Sequence, residues 1–210
     1  MGGGNILYPI NIYHSNGHHM THTARGSLTV YCGPMFSGKT TSLIQHIHDI
    51  APHRQSIVLK PAFDTRYAEY NIITHDGKSI IGDNNQTLCP VLPVNATPNI
   101  PANIHTIFID EIQFMENPHY MANLPQDIDT WLQQGKDIVA AGLDMDYLGV
   151  PFHVTAQLLA MADKVHKITA RCNICHGPAT RTIRTVDADE RMVLGNDDIY
   201  EARCLDHPSA

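Results

Sequence analysis

The sequence lacks the features by which membrane and secreted proteins are recognised. No apolar run approaches the length that spans a bilayer, and the N-terminus has no basic start followed by a compact apolar stretch. The chain has 5 cysteines, an odd number, and their spacing does not resemble a disulfide framework. We therefore expect a reduced, cytoplasmic protein without a membrane partner.

Positive charge is also scarce. Lysine and arginine together number 14 against 21 aspartates and glutamates, so the formal net charge is −7. This balance argues against the broad basic surface that nucleic-acid binding requires, and we expect no nucleic-acid partner. The 210 residues, 43% of them hydrophobic, suffice for one α/β domain and a small appendage.

A glycine-rich turn stands between a β-prone apolar run, 28–32, and a segment with apolar residues at helical spacing, 41–47. In this context the turn matches the Walker A motif, which is a glycine, four further residues and then Gly-Lys-Thr. The N–H groups of such a turn and the N-terminus of the following helix favour binding of a polyphosphate. We expect Lys39 at the β- and γ-phosphates and Thr40 at Mg²⁺; the alternative is a glycine-rich turn with a chance lysine. The predicted ATP-binding turn comprises Gly33, Pro34, Met35, Phe36, Ser37, Gly38, Lys39 and Thr40.

A second apolar run, 106–109, ends in Asp110 and Glu111, as a Walker B motif does. Asp110 would hold Mg²⁺, directly or through water, and Glu111 would accept a proton from a nucleophile or position it. Taken alone, the segment could equally be a strand followed by a solvated acidic turn. The Walker A motif upstream favours the functional interpretation.

The alternation of strands and helices predicts the fold class: an α/β, P-loop-type, mostly parallel sheet with helices on both faces. The runs 56–60 and 137–143 predict further buried strands. One helix is predicted from Asn117-Pro118 to about Gln134, with a kink or break at Pro125, and another over 153–162. Arg66 follows a strand end, where such sheets bind ligands, so it either reaches the phosphates or is an exposed surface arginine.

The C-terminal segment differs in character because it carries two short ligand pairs. Cys172 and Cys175 form a Cys-x-x-Cys pair, and Cys204 and His207 form a Cys-x-x-His pair. Four such ligands suit a closed, structural tetrahedral Zn²⁺ site, which a segment this small needs for stability. The alternatives are a redox dithiol, chance spacing, or His176 as a ligand.

These patterns divide the chain into three parts. We expect a flexible N-terminal extension over residues 1–24, a P-loop ATP-binding α/β domain over 25–168, and a small zinc-binding domain over 169–210.

The order of motifs resembles the thymidine kinases of the cytosolic type, over about residues 26–207. The matching segments are Gly33 to Thr40, Asp64-Thr65-Arg66-Tyr67, Thr74-His75-Asp76, Asp110-Glu111-Ile112-Gln113-Phe114, Gly142-Leu143-Asp144, Pro151-Phe152, Leu158-Leu159-Ala160, Ala162-Asp163-Lys164-Val165, Lys167-Ile168-Thr169-Ala170 and the four predicted zinc ligands.

The resemblance implies transfer of the γ-phosphoryl group of ATP to the 5′-hydroxyl of thymidine, with deoxyuridine as a second substrate. It assigns Glu111 as the catalytic base and Arg66 as the group that stabilises the transferred charge. It extends the ATP site to Asp110, Glu111, Ile112 and Gln113. Ile112 stands where smaller residues are frequent, and we expect its side chain to face the core.

The resemblance also implies a nucleoside site closed by a lasso-like loop of the zinc domain. Tyr147 would stack on the base, and main-chain groups of the lasso would read thymine. Without the resemblance, ordinary packing would explain Tyr147, Phe152 and Tyr200. The implied substrate-binding residues are Met35, Asp64, Tyr147, Phe152, Arg191, Met192, Val193, Leu194, Gly195 and Tyr200.

A homotetramer and feedback inhibition by thymidine triphosphate are implied as well. Two other functions compete with a kinase: a P-loop ATPase whose zinc ribbon binds nucleic acid, and a non-catalytic nucleotide-binding or scaffold protein. The first needs a basic, aromatic ribbon face, whereas residues 171–203 carry acidic and basic side chains together. The intact set of Lys39, Thr40, Asp110 and Glu111 argues against the second.

Overall fold

The protein is described by a computed structural model in which residues 24–64, 79–82, 85–186, 195 and 198–208 are placed. Within these ranges a six-stranded sheet organises the fold, with the strand order β3-β2-β4-β5-β1-β6. Every neighbouring pair in it is parallel. The strands are β1 (Leu28–Gly33), β2 (Ser56–Pro61), β3 (Val91–Val94), β4 (Thr106–Ile109), β5 (Asp137–Leu143) and β6 (Lys164–Lys167).

Helices cover both faces of this sheet, as the fold class predicts. The helix α1 (Lys39–Ile50) packs through Leu43 and Ile47 on the face that carries Phe108. The helices α2 (Leu124–Gln133) and α3 (His153–Met161) pack on the other face, which carries the neighbours of Phe108 in β4. Successive strand residues point to opposite faces, so apolar runs such as 106–109 are buried on both sides.

The predicted start of the second helix is wrong. Residues 117 and 118 join in a cis peptide bond outside any helix, and α2 begins at Leu124. Asn123 caps it, since its side chain accepts a hydrogen bond from Gln126 N at 3.2 Å. Pro125 therefore lies in the first turn, where a missing N–H costs nothing, and it neither kinks nor splits the helix.

A short segment between β4 and α2 explains this late start. A 3-10 helix, Ile112–Phe114, follows β4 directly. The turns after it bury Tyr120 completely, and its hydroxyl donates to Asp127 Oδ2 at 2.6 Å. This hydrogen bond joins the turns before α2 to the helix itself, because Asp127 lies in its first turn.

The C-terminal part forms two small antiparallel ladders beside the sheet. The first joins β7 (Ala170–Arg171) to β8 (Pro178–Ala179), and the second joins β9 (Arg181–Arg184) to β10 (Tyr200–Arg203). Among its described residues, the buried apolar side chains are small residues and cysteines, together with Tyr200. The edge strand β6, which the sequence did not predict, leads into this part. Among the placed residues, no helix is long and apolar enough to cross a bilayer.

Candidate active site and metal centre

The glycine-rich turn connects β1 to α1 in the conformation that a phosphate loop needs. Gly38 has φ +82°, in the left-handed region, immediately before the helix. At Gly33 a Cβ atom would lie 2.1 Å from the carbonyl oxygen of Ile168, so only glycine fits beside the end of β6. The turn therefore presents its backbone and the N-terminus of a twelve-residue helix at one edge of the sheet.

Lys39 is buried within this turn. Its Nζ donates to the carbonyl oxygen of Pro34 at 2.6 Å, and its exposed fraction is 8%. Burial lowers the pKa of Lys39, while the carboxylates of Glu111 and Asp110 oppose that shift. Lys39 thus lies in the electrostatic field of the Walker B residues.

Asp110 and Glu111 follow β4 at the same edge of the sheet. The Oδ1 atom of Asp110 lies 3.4 Å from the hydroxyl of Thr40 and accepts a hydrogen bond from Glu111 N at 3.0 Å. Burial, and next the negative charge of Glu111, raise the pKa of Asp110 to about 8. Asp64, 7% exposed just beyond β2, adds to the raised pKa, so three acidic residues share this edge.

The neighbours of Glu111 tie it to the sheet. Its backbone has φ +53°, and its carboxylate accepts a hydrogen bond from Gln113 Nε2. The Oε1 atom of Gln113 accepts from Leu143 N at 2.9 Å, so one amide connects Glu111 to the end of β5. Ile112 is fully buried and lies against Gly142, in agreement with the expectation that its side chain faces the core.

The structure describes six of the predicted nucleoside-binding residues: Met35, Asp64, Tyr147, Phe152, Gly195 and Tyr200. Met35 N donates to the hydroxyl of Thr182 at 2.9 Å, which joins the phosphate loop to β9. Phe152 and Tyr200 are 2% and 7% exposed, and Tyr147 is half-buried. Gly195 is placed close to Ile199. Arg66 and the lasso residues 191–194 lie outside the described residues.

Two residues of β9 that the sequence did not single out contact predicted site residues. Thr182 binds Met35, and Arg184 contacts Tyr147, with the guanidinium carbon 3.9 Å from the ring centroid. They are two positions apart on one strand, so their side chains lie on the same face. A strand pattern in the sequence could have shown this shared face. No local sequence pattern, however, indicates that residues 181–184 contact residues 35 and 147.

The four predicted metal ligands converge. The ligand atoms of Cys172, Cys175, Cys204 and His207 all lie within 4.8 Å of one another. Cys204 Sγ is 3.2 Å from His207 Nδ1, and Cys175 Sγ is 3.7 Å from Cys204 Sγ. Such separations suit one ion with metal–ligand bonds of about 2.0–2.3 Å.

The chemistry of these ligands fits zinc. Burial opposes ionisation of Cys172, but N–H groups of Cys175, Cys204 and Ile174 outweigh it and lower the pKa of this thiol to about 6. A thiolate is the form that binds a metal. All five cysteines are free thiols in the structure. His176 does not join the cluster in the part of the chain that is placed.

The family comparison agrees with this geometry. The family model described as Thymidine kinase (TK) matches residues 26–207, which is most of the chain.

Proposed function

The chain belongs to the thymidine kinase family and is an ATP-dependent nucleoside kinase, a transferase; from that premise we propose that its acceptor is thymidine, phosphorylated at the 5′-hydroxyl. The observation that carries the proposal is the meeting of Thr40, Asp110 and Glu111 at one edge of the sheet, beside Lys39. A nucleotide-binding protein without chemistry would need no second carboxylate there.

The phosphate loop would hold the donor. The backbone of residues 33–40 and the N-terminus of α1 supply N–H groups for the β- and γ-phosphates, and Lys39 supplies a positive charge. Thr40 and Asp110 are the proposed Mg²⁺ ligands, since their oxygens lie 3.4 Å apart and both suit a hard cation. Bound Mg²⁺ would neutralise charge on the phosphates, and it would favour the ionised form of Asp110.

Glu111 is the proposed base. Gln113 donates to the carboxylate of Glu111, and this carboxylate would accept the proton of the acceptor hydroxyl as the phosphoryl group departs. The hydrogen bond from Gln113 also fixes the direction of the carboxylate, because Gln113 is itself anchored on Leu143 N. Arg66 is proposed, from its place in the family motif, to stabilise charge on the transferred group.

The nucleoside would lie between the phosphate loop and β9. Met35, Tyr147, Phe152 and Tyr200 form the proposed apolar walls, and the lasso residues 191–195 the proposed main-chain contacts to thymine. Deoxyuridine is proposed as a second substrate, because one missing methyl group changes transition-state binding by only about 1–3 kcal/mol.

Structural zinc, held by three thiolates and one imidazole, would stabilise the C-terminal part. The described residues of that part bury few apolar side chains, which is the condition under which a metal contributes directly to folding. A homotetramer, inhibition by thymidine triphosphate and a cytoplasmic location are further proposals that follow from the family. Gel filtration with light scattering, and inhibition kinetics, test the first two.

The direct test is an assay with labelled ATP and a panel of nucleosides. The proposal expects a labelled 5′-monophosphate of thymidine and, more weakly, of deoxyuridine. The competing ATPase would instead release phosphate when nucleic acid is added. The arginines of β9 and β10 disfavour it, since Arg181 contacts Met145, Arg184 contacts Tyr147 and Arg203 pairs with Glu201. Transfer only to a different nucleoside would contradict thymidine as the acceptor.

A further inference from the structure

We propose that Arg184 is a positioning residue for the nucleoside site: it holds the ring of Tyr147, and so sets the affinity for the acceptor base. The inference rests on the proposed function, because it takes Tyr147 as part of the base pocket. It adds a residue of β9 that acts on the base through another side chain.

Arg184 contacts Tyr147 in two ways at once. Its guanidinium carbon lies 3.9 Å from the centroid of the Tyr147 ring, which is the geometry of a cation–π contact. One terminal nitrogen also donates to the Tyr147 hydroxyl at 3.0 Å. The first contact fixes the plane of the ring, and the second fixes its direction within that plane. A planar guanidinium can make both contacts together, whereas a lysine ammonium cannot.

The loop that carries Tyr147 is held by hydrogen bonds to its backbone. Asp146 accepts from Leu148 N at 3.0 Å and from Val150 N at 2.8 Å, and Met145 bridges to Pro151. The side chain of Tyr147 is half-buried in this loop. Its hydrogen bond and its cation–π contact within the placed residues both come from Arg184. A phenol hydroxyl also requires a partner, which Arg184 provides.

Arg184 is itself on a firmly held strand. It pairs directly with Tyr200 of β10, and Thr182, two residues earlier on the same face, binds Met35 N. Arg181 reaches Met145 of the Tyr147 loop through Nη1, 2.9 Å from its sulfur atom. The strand β10 runs directly into Cys204 of the metal cluster. A continuous set of contacts therefore leads from the metal ligands through β9 to the ring of Tyr147.

The test is a double-mutant cycle on thymidine phosphorylation. Arg184→Met keeps the length of the side chain but removes the charge and the donors. Tyr147→Phe keeps the ring, and Tyr147→Leu removes it. We expect Arg184→Met to raise KM for thymidine about tenfold, with kcat within about twofold of the parent, and Tyr147→Phe to raise KM about threefold. In the Tyr147→Leu background, Arg184→Met should change KM by less than about twofold, because the ring it holds is gone.

Three further measurements and a control variant separate positioning from a general structural role. Zinc content and the unfolding midpoint of Arg184→Met should match those of the parent. Arg171→Met, which removes an exposed arginine of β7 in the same part of the chain, should leave KM unchanged. Calorimetric titration of thymidine into each variant gives the affinity without turnover and should show the same order.

The outcomes are distinguishable. If the parent phosphorylates thymidine and Arg184→Met has an unchanged or lower KM, the positioning role is wrong and the proposed function stands. Equal effects of Arg184→Met in the parent and Tyr147→Leu backgrounds would also overturn it. If the parent accepts another nucleoside instead, thymidine is wrong, and the same cycle on that nucleoside decides the role of Arg184. If it accepts none, both proposals fall.

Discussion

Replacing Glu111 by glutamine is the sharpest perturbation of the proposed mechanism. Glutamine has the same shape, and its amide oxygen can still accept the hydrogen bond from Gln113 Nε2. The connection from Gln113 to Leu143 N therefore survives, and so does the contact of Thr40 with Asp110. The amide differs from the carboxylate mainly in that it cannot take up the acceptor's proton.

The expected magnitude follows from this single loss. General base catalysis contributes about 10²–10⁴-fold, so kcat of Glu111→Gln should fall by that factor, equivalent to about 3–5 kcal/mol in the barrier. KM for ATP should stay within about threefold of the parent, because Lys39, Thr40 and Asp110 are retained. The pKa of Asp110 should fall, since the charge of Glu111 is its second largest cause after burial.

The assay is steady-state transfer of label from ATP to thymidine, together with calorimetric binding of a non-hydrolysable ATP analogue. Asp129→Asn is a matched control, because it removes one exposed carboxylate from α2, outside the proposed site. A kcat within a few-fold of the parent would remove Glu111 from the base role. Loss of ATP binding in parallel with kcat would mean that Glu111 holds the nucleotide instead.

Three further predictions test the metals and the pocket. Asp110 has a folded pKa raised above its unfolded value, so without Mg²⁺ its contribution to stability should be lost as pH rises from about 4 towards 8. The free energy of urea unfolding of the parent protein minus that of Asp110→Asn should therefore decrease as pH rises, by at most about 1.4 kcal/mol per pH unit. An increase of this difference with pH would contradict the prediction. Cys172→Ser should lose bound zinc, measured by elemental analysis, and lower the unfolding midpoint; unchanged zinc would refute the site. Thymidine should exceed deoxyuridine in kcat/KM by about 5- to 150-fold, and a preference for deoxyuridine would exclude a methyl-binding pocket.

The main features of the fold followed from local patterns. Apolar runs such as 106–109 predicted strands buried on both faces, and the structure has them in one parallel sheet. The helix predicted over 153–162 was confirmed as α3, with Val154 and Leu158 buried. The metal ligands were also predictable, because two short ligand pairs are typical of a zinc site. In the structure their four ligand atoms converge, as this prediction requires.

Local patterns failed at the start of one helix and at an exposed strand. The sequence placed the start of α2 at residues 117–118, whereas the helix begins at Leu124, with Asn123 as its cap. The edge strand β6 was missed because its residues, Lys164 to Lys167, are exposed and partly charged. Its place beside β1 follows from backbone pairing, which leaves no apolar pattern.

The sequence by itself determined which chemical groups the protein has and which loops carry them: the glycine turn, the two carboxylates after β4 and the four metal ligands. Only the tertiary structure decided which of these groups meet. Asp110 reaches Thr40 across 70 positions of sequence, Met35 reaches Thr182 across 147, and Tyr147 meets Arg184 across 37. Spacing along a chain encodes periodicity within one element, whereas contacts between elements depend on how their buried faces pack, and no local pattern contains that information.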